Sequence, residues 1–337
     1  MTAPAGAAGG GTQPSPAPPG RRVLAVLGRL VASRPVRWAF VFAAVGLACY
    51  AVVTDWAQIR GALGELGFWS LAAAIVSILA ALATTVQMWR LLLGSMGSPL
   101  PLSAAARIML VGQIGKYLPG SVWPVLAQME LGREYRVPRS RSASASVLVM
   151  LLTLIAGLLM ALVTLPFAAG PMPYRWALLA APVLLVMLYP PILNALISWL
   201  LRLARQPPLE QPLTAPALLR AMGWSFGTWI CYGLQIWILA TRLGAPAGKT
   251  ALVAVGGFAF AWSVGFIVVF APAGAGIRDV LLLVLLGSVL STADAAAVVL
   301  VSRVLMTAAD LLSAAVAARF VRRPPPEAAG RDPNTAV

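Results

Sequence analysis

The sequence lacks histidine altogether and has only two cysteines and 10 acidic residues in 337. Histidine is the commonest general base and metal ligand, so its absence argues against both kinds of site. The cysteines, Cys49 and Cys231, lie within apolar runs and are interpreted as buried apolar side chains rather than a disulfide or metal pair. Acid–base chemistry would rest on Glu130, Asp279 or Asp310 alone. We therefore expect no cofactor, no metal and no enzymatic activity.

Charge is also scarce, since 10% of the residues are charged and 60% are hydrophobic. A water-soluble domain cannot bury so many apolar side chains, and apolar runs of about 20 residues are typical of helices that cross a bilayer. The sequence therefore predicts an all-α, polytopic integral membrane protein with six spanning helices. Pro190 and Pro191 predict a kink in the fourth of them. The six runs are residues 38–54, 68–89, 143–168, 176–201, 217–241 and 294–318.

The two ends of the chain differ in composition from the apolar region. Residues 1–20 are rich in proline, alanine and glycine, and residues 322–337 are rich in proline and polar residues. Such segments bury too little apolar surface to fold, so both are predicted to be disordered tails. Residues 21–35 are predicted to form an amphipathic helix at the membrane surface, because arginines interrupt their apolar stretch. The membrane domain is then residues 36–321.

The basic residues predict the orientation of the protein. The net charge is +15, from 25 basic and 10 acidic residues. With a cytoplasmic N-terminus, 18 of the basic residues lie in cytoplasmic segments and four in external ones, which agrees with the positive-inside rule. We therefore expect a cell (cytoplasmic) membrane protein with both termini cytoplasmic. No nucleic-acid-binding motif accompanies the charge, so no nucleic-acid partner is expected. The other three basic residues fall within the membrane: Lys116, Arg278 and Arg303.

Two further apolar regions, 104–131 and 250–290, are interrupted by proline and glycine. In "GKYLPGSVWP" the Pro-Gly pair predicts a turn, and the serine after it predicts the cap of a second short helix. In "APAGAGIRD" the proline and the glycines predict a break, after which a helix restarts near Ile277. Both regions are predicted to be re-entrant helical hairpins, since broken backbone persists within a membrane only where protein or water satisfies it. One alternative remains for the second region, because 250–271 is long enough to span by itself.

The segments around these hairpins predict an inverted repeat. Repeat one covers residues 68–168 and repeat two residues 217–320, and their corresponding segments start 146 to 151 residues apart. In the orientation given above, equivalent segments run in opposite directions, as in many transporters. The alternative is that any series of apolar helices can be paired in this way, because residue identity between the halves is weak.

Each break points a helix N-terminus, the positive end of its dipole, into the membrane, and such an end favours an anion. Lys116 and Arg278 lie beside the breaks and would add positive charge suited to a phosphate group. The alternatives are that Lys116 extends to the cytoplasmic headgroups and that Arg278 pairs with Asp279 or Asp310. The predicted phosphate site comprises Lys116, Tyr117, Gly120, Ser121, Gly274, Gly276 and Arg278.

A supporting polar network is predicted around this site. Arg303 and Asp310 share one face of the last span, either as a structural pair or as groups coupled to transport. Glu130 either lines the cavity or pairs with Arg133 or Arg107. The complete predicted network is Gln87, Arg90, Arg107, Glu130, Asp279, Arg303 and Asp310.

Two stretches resemble the signatures of a known family. "GKYLPGSVWPVLAQMELGREYRVPRSRSASASVLVM" is similar to the first signature of the lysylphosphatidylglycerol synthase transmembrane-region (flippase-like) family, and "APAGAGIRDVLLLVLLGSVLSTADAAAVVLVSRVLMTAADLL" is similar to the second. The resemblance covers roughly residues 35–322. Asp279 stands where the family often has glutamate. Bifunctional members join such a membrane region to a soluble domain that transfers an aminoacyl group from tRNA to phosphatidylglycerol, and the membrane region is implicated in moving the product between leaflets.

The resemblance implies a stand-alone membrane domain, because the sequence ends at residue 337 without that soluble domain. The predicted function is a flippase-like lipid translocase for an anionic or aminoacylated (glyco)phospholipid or a polyprenyl-phosphate lipid. The alternative is a non-transporting membrane subunit that scaffolds a separate lipid-modifying or glycosyl-transferring enzyme. No G-x-x-x-x-G-K-[ST] phosphate-binding loop is present, so any driving energy is expected from a partner, an ion gradient or the lipid gradient.

Overall fold

The computed structural model describes residues 56–117, 122–168, 180–203, 207, 211–267 and 276–320. All of them belong to one unit, residues 48–337. The described part of the chain is helical, as the all-α prediction requires, with ten α-helices and one short 3₁₀ helix at Gln113–Tyr117. The α-helices are α1 Trp56–Ser95, α2 Leu102–Gly112, α3 Trp123–Arg133, α4 Arg139–Ala168, α5 Ala180–Met187, α6 Pro190–Leu203, α7 Ala215–Arg242, α8 Ala247–Ile267, α9 Ile277–Leu286 and α10 Thr292–Phe320.

Four of the described helices are long and apolar enough to cross a membrane. Three of them contain predicted spans, namely the spans at 68–89, 143–168 and 294–318. The fourth is α8, which the sequence assigned to a re-entrant region. Helix α7 contains the predicted span 217–241 and is long enough, with 28 residues, but it lacks a continuous stretch as apolar as those in these four. The protein is thus a multi-pass helical membrane protein.

The predicted span 176–201 is divided, as its prolines require. Helix α5 ends at Met187 and α6 begins at Pro190, so Leu188 and Tyr189 form the break. Proline lacks the backbone N–H that a helix interior needs but is well suited to a first helical position, where no donor is required. The other predicted elements at the chain ends lie outside the described residues: 1–20, 21–35, 38–54 and 322–337.

Helices α2 and α3, with the 3₁₀ helix between them, form a first hairpin in which α2 and α3 pack against each other in antiparallel directions. At the tip, a Cβ added to Gly115 would lie 2.9 Å from the backbone nitrogen of Pro124, so only glycine permits this approach. At the base, Arg107 and Glu134 form an ion pair of 2.6 Å. Each arm has 11 residues, or roughly 16 Å of helix, about half the hydrocarbon thickness.

Helices α8 and α9 form a second hairpin whose arms are unequal. Gly257 of α8 faces Leu285 of α9, and the Lys249 Nζ lies 3.3 Å from the carbonyl oxygen of Ser288. The chain therefore returns to the end at which α8 begins. The helix restarts at Ile277, as predicted. However, α8 is a continuous 21-residue helix, so the break expected within 250–290 comes after a first arm almost twice as long as that of the first hairpin.

Helices α1 and α7 cross in antiparallel directions at the centre of the bundle. The Ser77 hydroxyl donates to the carbonyl oxygen of Cys231 at 2.7 Å, and the hydroxyls of Thr84 and Thr228 are 2.8 Å apart. Around this crossing the helix contacts fall into two groups. The first group joins α1 with α2, α2 with α3, α3 with α4, α1 with α4, α4 with α7 and α4 with α8. The second joins α7 with α8, α8 with α9, α9 with α10, α7 with α10, α10 with α1 and α10 with α2.

Close packing of α7 on α8 gives a direct test of this arrangement. A Cβ added to Gly233 would lie 2.5 Å from the Cα of Val255, whereas one added to Gly223 on the same helix would meet nothing within 4 Å. Gly233→Ala forces the backbones apart and is expected to lower the free energy of unfolding by about 2 kcal/mol. Gly223→Ala is expected to raise it by up to about 1 kcal/mol, because alanine favours a helix. Unfolding of both variants in one detergent checks this, and equal effects would contradict the packing.

Candidate functional site

Helix α10 presents one polar face near its middle. Arg303, Thr307 and Asp310 are spaced four and three residues apart, which places them on the same side of the helix. Arg303 is 11 residues from the start of α10 and Asp310 is 10 residues from its end, so each lies roughly 15 Å from a helix terminus. Asp310 is only 6% exposed. Charged side chains at such depth in a membrane protein usually pair with each other or line a polar cavity.

The tip of the first hairpin reaches this face of α10. The Lys116 Nζ lies 2.6 Å from the Asp310 Oδ2, and the Tyr117 hydroxyl donates to the same oxygen at 2.7 Å. Both residues come from the 3₁₀ helix that follows α2. Lys116 therefore pairs with α10 instead of extending to the cytoplasmic headgroups, which was the alternative considered from the sequence.

The start of α9 reaches the same face one to two turns away. Arg278 donates to the Asp279 Oδ1 from Nε at 3.1 Å and from Nη2 at 2.9 Å. Arg303 of α10 donates to the Asp279 Oδ2 at 2.5 Å, and the Gly276 N–H donates weakly to that oxygen at 3.4 Å. The Asp279 carboxylate thus joins α9 to α10. It also occupies the helix N-terminus that the sequence assigned to a bound anion.

These two groups form one charged cluster, defined here as Lys116, Arg278, Asp279, Arg303 and Asp310. Tyr117 and the buried Tyr232 of α7 both lie close enough to Asp310 and Arg278 to interact with their charges. Three basic and two acidic side chains give the cluster a formal charge of +1.

Two of the three cations of the cluster are more accessible than its carboxylates. Arg303 is 40% exposed and Lys116 is 26% exposed, whereas Asp279 and Asp310 are 16% and 6% exposed. Arg278 is the exception, with 11%. An anion that approaches the cluster therefore meets Arg303 and Lys116 before it meets either carboxylate, which favours anion binding over cation binding.

Several predicted site residues cannot be placed or lie elsewhere. Gly120, Ser121 and Gly274 fall outside the described residues. Gly276 is described and has a φ of +93°, a backbone conformation that favours glycine at this position. The prediction that Ser121 caps the second arm of the first hairpin is wrong, because helix α3 begins at Trp123 with Val122 at its N-cap.

Gln87 and Arg90 do not join the charged cluster. Arg90 donates from Nε to the carbonyl oxygen of Leu100 at 2.8 Å and from Nη1 to the Gln87 Oε1 at 3.3 Å. These bonds tie the end of α1 to the segment that precedes α2. Both residues were predicted to belong to the polar network around the phosphate site, and in the structure they have this bracing role instead.

Arg107 and Glu130 also lie apart from the cluster, at the base of the first hairpin. Arg107 pairs with Glu134, while Glu130 pairs with Arg133 at 2.9 Å and with Arg139 at 3.2 Å. Glu130 was expected to pair with Arg133 or Arg107, and only the first of these contacts is present. The hydrogen bond from Arg139 lowers the pKa of Glu130 below its usual value.

Some polar residues of the bundle were not predicted from the sequence. Tyr232 is an aromatic residue within an apolar helix, and nothing in its sequence context marks it as part of a charged site. Gln235, fully buried on α7, donates to the Ser302 hydroxyl at 2.8 Å. Gln128 of α3, only 2% exposed, accepts a hydrogen bond from the Ser146 hydroxyl. A glutamine within an apolar helix is a usable signal, because an unpaired polar group is costly in lipid.

The sequence matches the family described as lysylphosphatidylglycerol synthase TM region over residues 31–314. The chain belongs to this family. The matched range includes both hairpins of this family member and every residue of its charged cluster, so the predicted resemblance is confirmed for the part of the chain that forms the candidate site. A comparison with curated proteins found no match.

Proposed function

We propose that this family member is a non-enzymatic, flippase-like translocase that moves a lipid with a phosphate-containing headgroup between the leaflets of the cell membrane. The substrate class is an anionic or aminoacylated (glyco)phospholipid or a polyprenyl-phosphate lipid. The observation that carries the proposal is the charged cluster. It lies at mid-depth on α10, has a formal charge of +1 and exposes Arg303 and Lys116 more than its carboxylates.

The proposed architecture places the two hairpins as re-entrant elements in an inverted repeat. Helices α1 to α4 correspond to α7 to α10, and every helix contact in the first group named above has its counterpart in the second. The antiparallel crossing of α1 and α7 supports opposite orientations for the two repeats. With both termini cytoplasmic and six spans, the first hairpin enters from the cytoplasm and the second from outside.

The cluster lies where the two proposed repeats meet, because α10 contacts the tip of the first hairpin and the start of α9. In the proposed mechanism, the phosphate oxygens take the place of carboxylate oxygens on Lys116, Arg278 and Arg303. Guanidinium groups suit this exchange, since they bind phosphate and carboxylate in the same two-pronged geometry. The acyl chains remain in the bilayer while the repeats move relative to each other and expose the headgroup to one side and then the other.

The test is leaflet exchange in proteoliposomes. Fluorescent analogues of phosphatidylglycerol and a polyprenyl phosphate are compared with phosphatidylcholine, for the wild type and for Lys116→Ala/Arg278→Ala. We expect protein-dependent exchange of the anionic lipids that falls about tenfold or more in the double variant, because two phosphate contacts are lost. The matched control is Arg202→Ala, since Arg202 is an exposed arginine on α6 whose bond is to the backbone of its own helix.

The outcomes of this assay distinguish the translocase from the scaffolding subunit, and they test whether the cluster is the transport site. Exchange that depends on the protein and on the cluster supports a translocase that uses this site. Exchange that survives the double substitution supports a translocase and contradicts the site. No exchange by folded wild-type protein contradicts the translocase and favours the membrane subunit that scaffolds a separate lipid-modifying or glycosyl-transferring enzyme.

A further inference from the structure

We propose that Asp310 couples lipid movement to a proton, so that one proton accompanies each anionic headgroup in the same direction. The inference rests on the proposed translocase and adds its driving force. It starts from the contacts of Asp310, the most deeply buried carboxylate of the cluster. Its Oδ2 atom forms an ion pair with Lys116 and accepts a hydrogen bond from the Tyr117 hydroxyl.

The Lys116–Asp310 pair joins two elements that belong to different proposed repeats. Lys116 lies on the 3₁₀ helix of the first hairpin, and Asp310 lies on α10. The charge state of Asp310 therefore decides whether the hairpin tip is held to α10. Once a phosphate binds Lys116, Asp310 has lost its cation, and water cannot replace that cation because the residue is only 6% exposed. A buried carboxylate without a cation is costly to keep ionised and is neutralised by a proton.

The charge balance of the cluster fixes the ratio at one proton per headgroup. Without lipid, the charged cluster carries +1. A monoanionic phosphodiester brings it to zero, and a proton on Asp310 restores +1. The empty and the loaded protein then carry the same charge through the membrane, and neither form pays a larger desolvation penalty than the other. The proton binds Asp310 on one side, crosses with the headgroup and leaves when Lys116 returns to the carboxylate on the other side.

The groups around Asp310 and Asp279 indicate that Asp310 is the carboxylate that takes up the proton. The 3₁₀ helix provides Lys116 and Tyr117, and α7 provides Tyr232. Arg278 of α9 interacts with the same two tyrosines but pairs with Asp279. Helices α1 and α2 also pack on α10, but the charged side chains described on them are engaged elsewhere or exposed at the helix start: Glu65, Arg90 and Arg107. Asp279 differs from Asp310 because it accepts hydrogen bonds from Arg278, Arg303 and the Gly276 N–H. A guanidinium group has several N–H donors, so each arginine can bind a phosphate and still keep a bond to Asp279.

The experiment imposes a gradient on wild-type proteoliposomes that contain fluorescent phosphatidylglycerol in phosphatidylcholine, and an impermeant quencher reports the leaflet distribution. With a pH difference of one unit, one-to-one coupling is expected to enrich the lipid about tenfold in the leaflet that faces the more alkaline side. A potassium diffusion potential without a pH difference is expected to leave the two leaflets equal, since the coupled step moves no net charge. Protein-free vesicles give the passive background.

Three variants sharpen the result. Asp310→Asn is expected to abolish the response to the pH difference, because an amide does not take up the proton. Tyr117→Phe removes one hydrogen bond to the carboxylate but leaves the carboxylate itself, so it is expected to keep the response to the pH difference. Asp294→Asn, on the same helix but bonded to Ser291, is the matched control and is expected to keep the full response.

The outcomes separate this inference from the function on which it rests. Exchange with a tenfold response to pH and none to voltage supports proton coupling. Exchange that leaves the fluorescent lipid equally distributed between the leaflets under the pH difference overturns the coupling and leaves the translocase intact. A lipid distribution that is set by the voltage does the same. A complete absence of exchange overturns both.

Discussion

Replacing Asp279 with asparagine is expected to lower the free energy of unfolding by about 3 kcal/mol, the range seen when one partner of a buried ion pair is removed. The carboxylate is 16% exposed and holds Arg278 and Arg303 together. An amide keeps the shape of the side chain but not its charge, so two guanidinium groups would face each other without a counter-ion. Asp279→Glu keeps the charge and is expected to recover most of the loss. Thermal or denaturant unfolding in detergent measures both variants.

Asp294→Asn is the matched control for this result. Asp294 also lies at a helix start, in the first turn of α10, but it bonds to a serine hydroxyl at 2.6 Å rather than to cations. Its loss is expected to lower the free energy of unfolding by no more than about 1 kcal/mol. Equal, small losses for Asp279→Asn and Asp294→Asn would show that water already screens the cluster, and the description of it as a joint between α9 and α10 would be wrong.

Removing Lys116 alone is expected to be more harmful than removing Lys116 and the Asp310 charge together. Lys116→Met leaves a carboxylate of 6% exposure whose remaining side-chain partner among the described residues is the Tyr117 hydroxyl. We expect a loss of about 2 kcal/mol, below the range for fully buried pairs because Lys116 is 26% exposed. In Lys116→Met/Asp310→Asn no charge is left unpaired, and the Tyr117 hydroxyl can still donate to the amide oxygen. The double variant is expected within about 1 kcal/mol of the wild type.

The free energies of unfolding of the wild type, Lys116→Met, Asp310→Asn and the double variant form a thermodynamic cycle that isolates the interaction of the pair. The decreases in the free energy of unfolding of the two single variants are expected to sum to far more than the decrease of the double variant. Additive losses would mean that Lys116 and Asp310 do not interact in the folded protein, which would contradict the docking of the hairpin tip on α10.

Much of the architecture could be predicted because it depends on local chemistry. Apolar runs set three of the spanning helices, proline divided α5 from α6, and the glycine-rich break ended just before Ile277. The length of α8 was harder to predict, because 250–271 reads equally well as a span or as the arm of a hairpin. Helix α8 packs against α4 and α7, and such packing is not visible in one sequence.

The site was predictable in its components and not in its connections. Lys116, Arg278, Arg303 and Asp310 stood out because charge within an apolar run is costly. Their partners depend on which elements meet on α10. The pairing of Arg278 with Asp279 was one of the alternatives considered from the sequence, whereas the pairing of Lys116 with Asp310 was not predicted. Short-range pairs were easier, since Glu130 with Arg133 follows from helical spacing.

The most direct measurement is leaflet exchange of fluorescent phosphatidylglycerol by Lys116→Met/Asp310→Asn, after unfolding has shown that this variant is as stable as the wild type. If the charged cluster binds the headgroup, the folded variant is expected to exchange the lipid at least about tenfold more slowly than the wild type. Exchange at the wild-type rate by the stable double variant would contradict the cluster as the transport site.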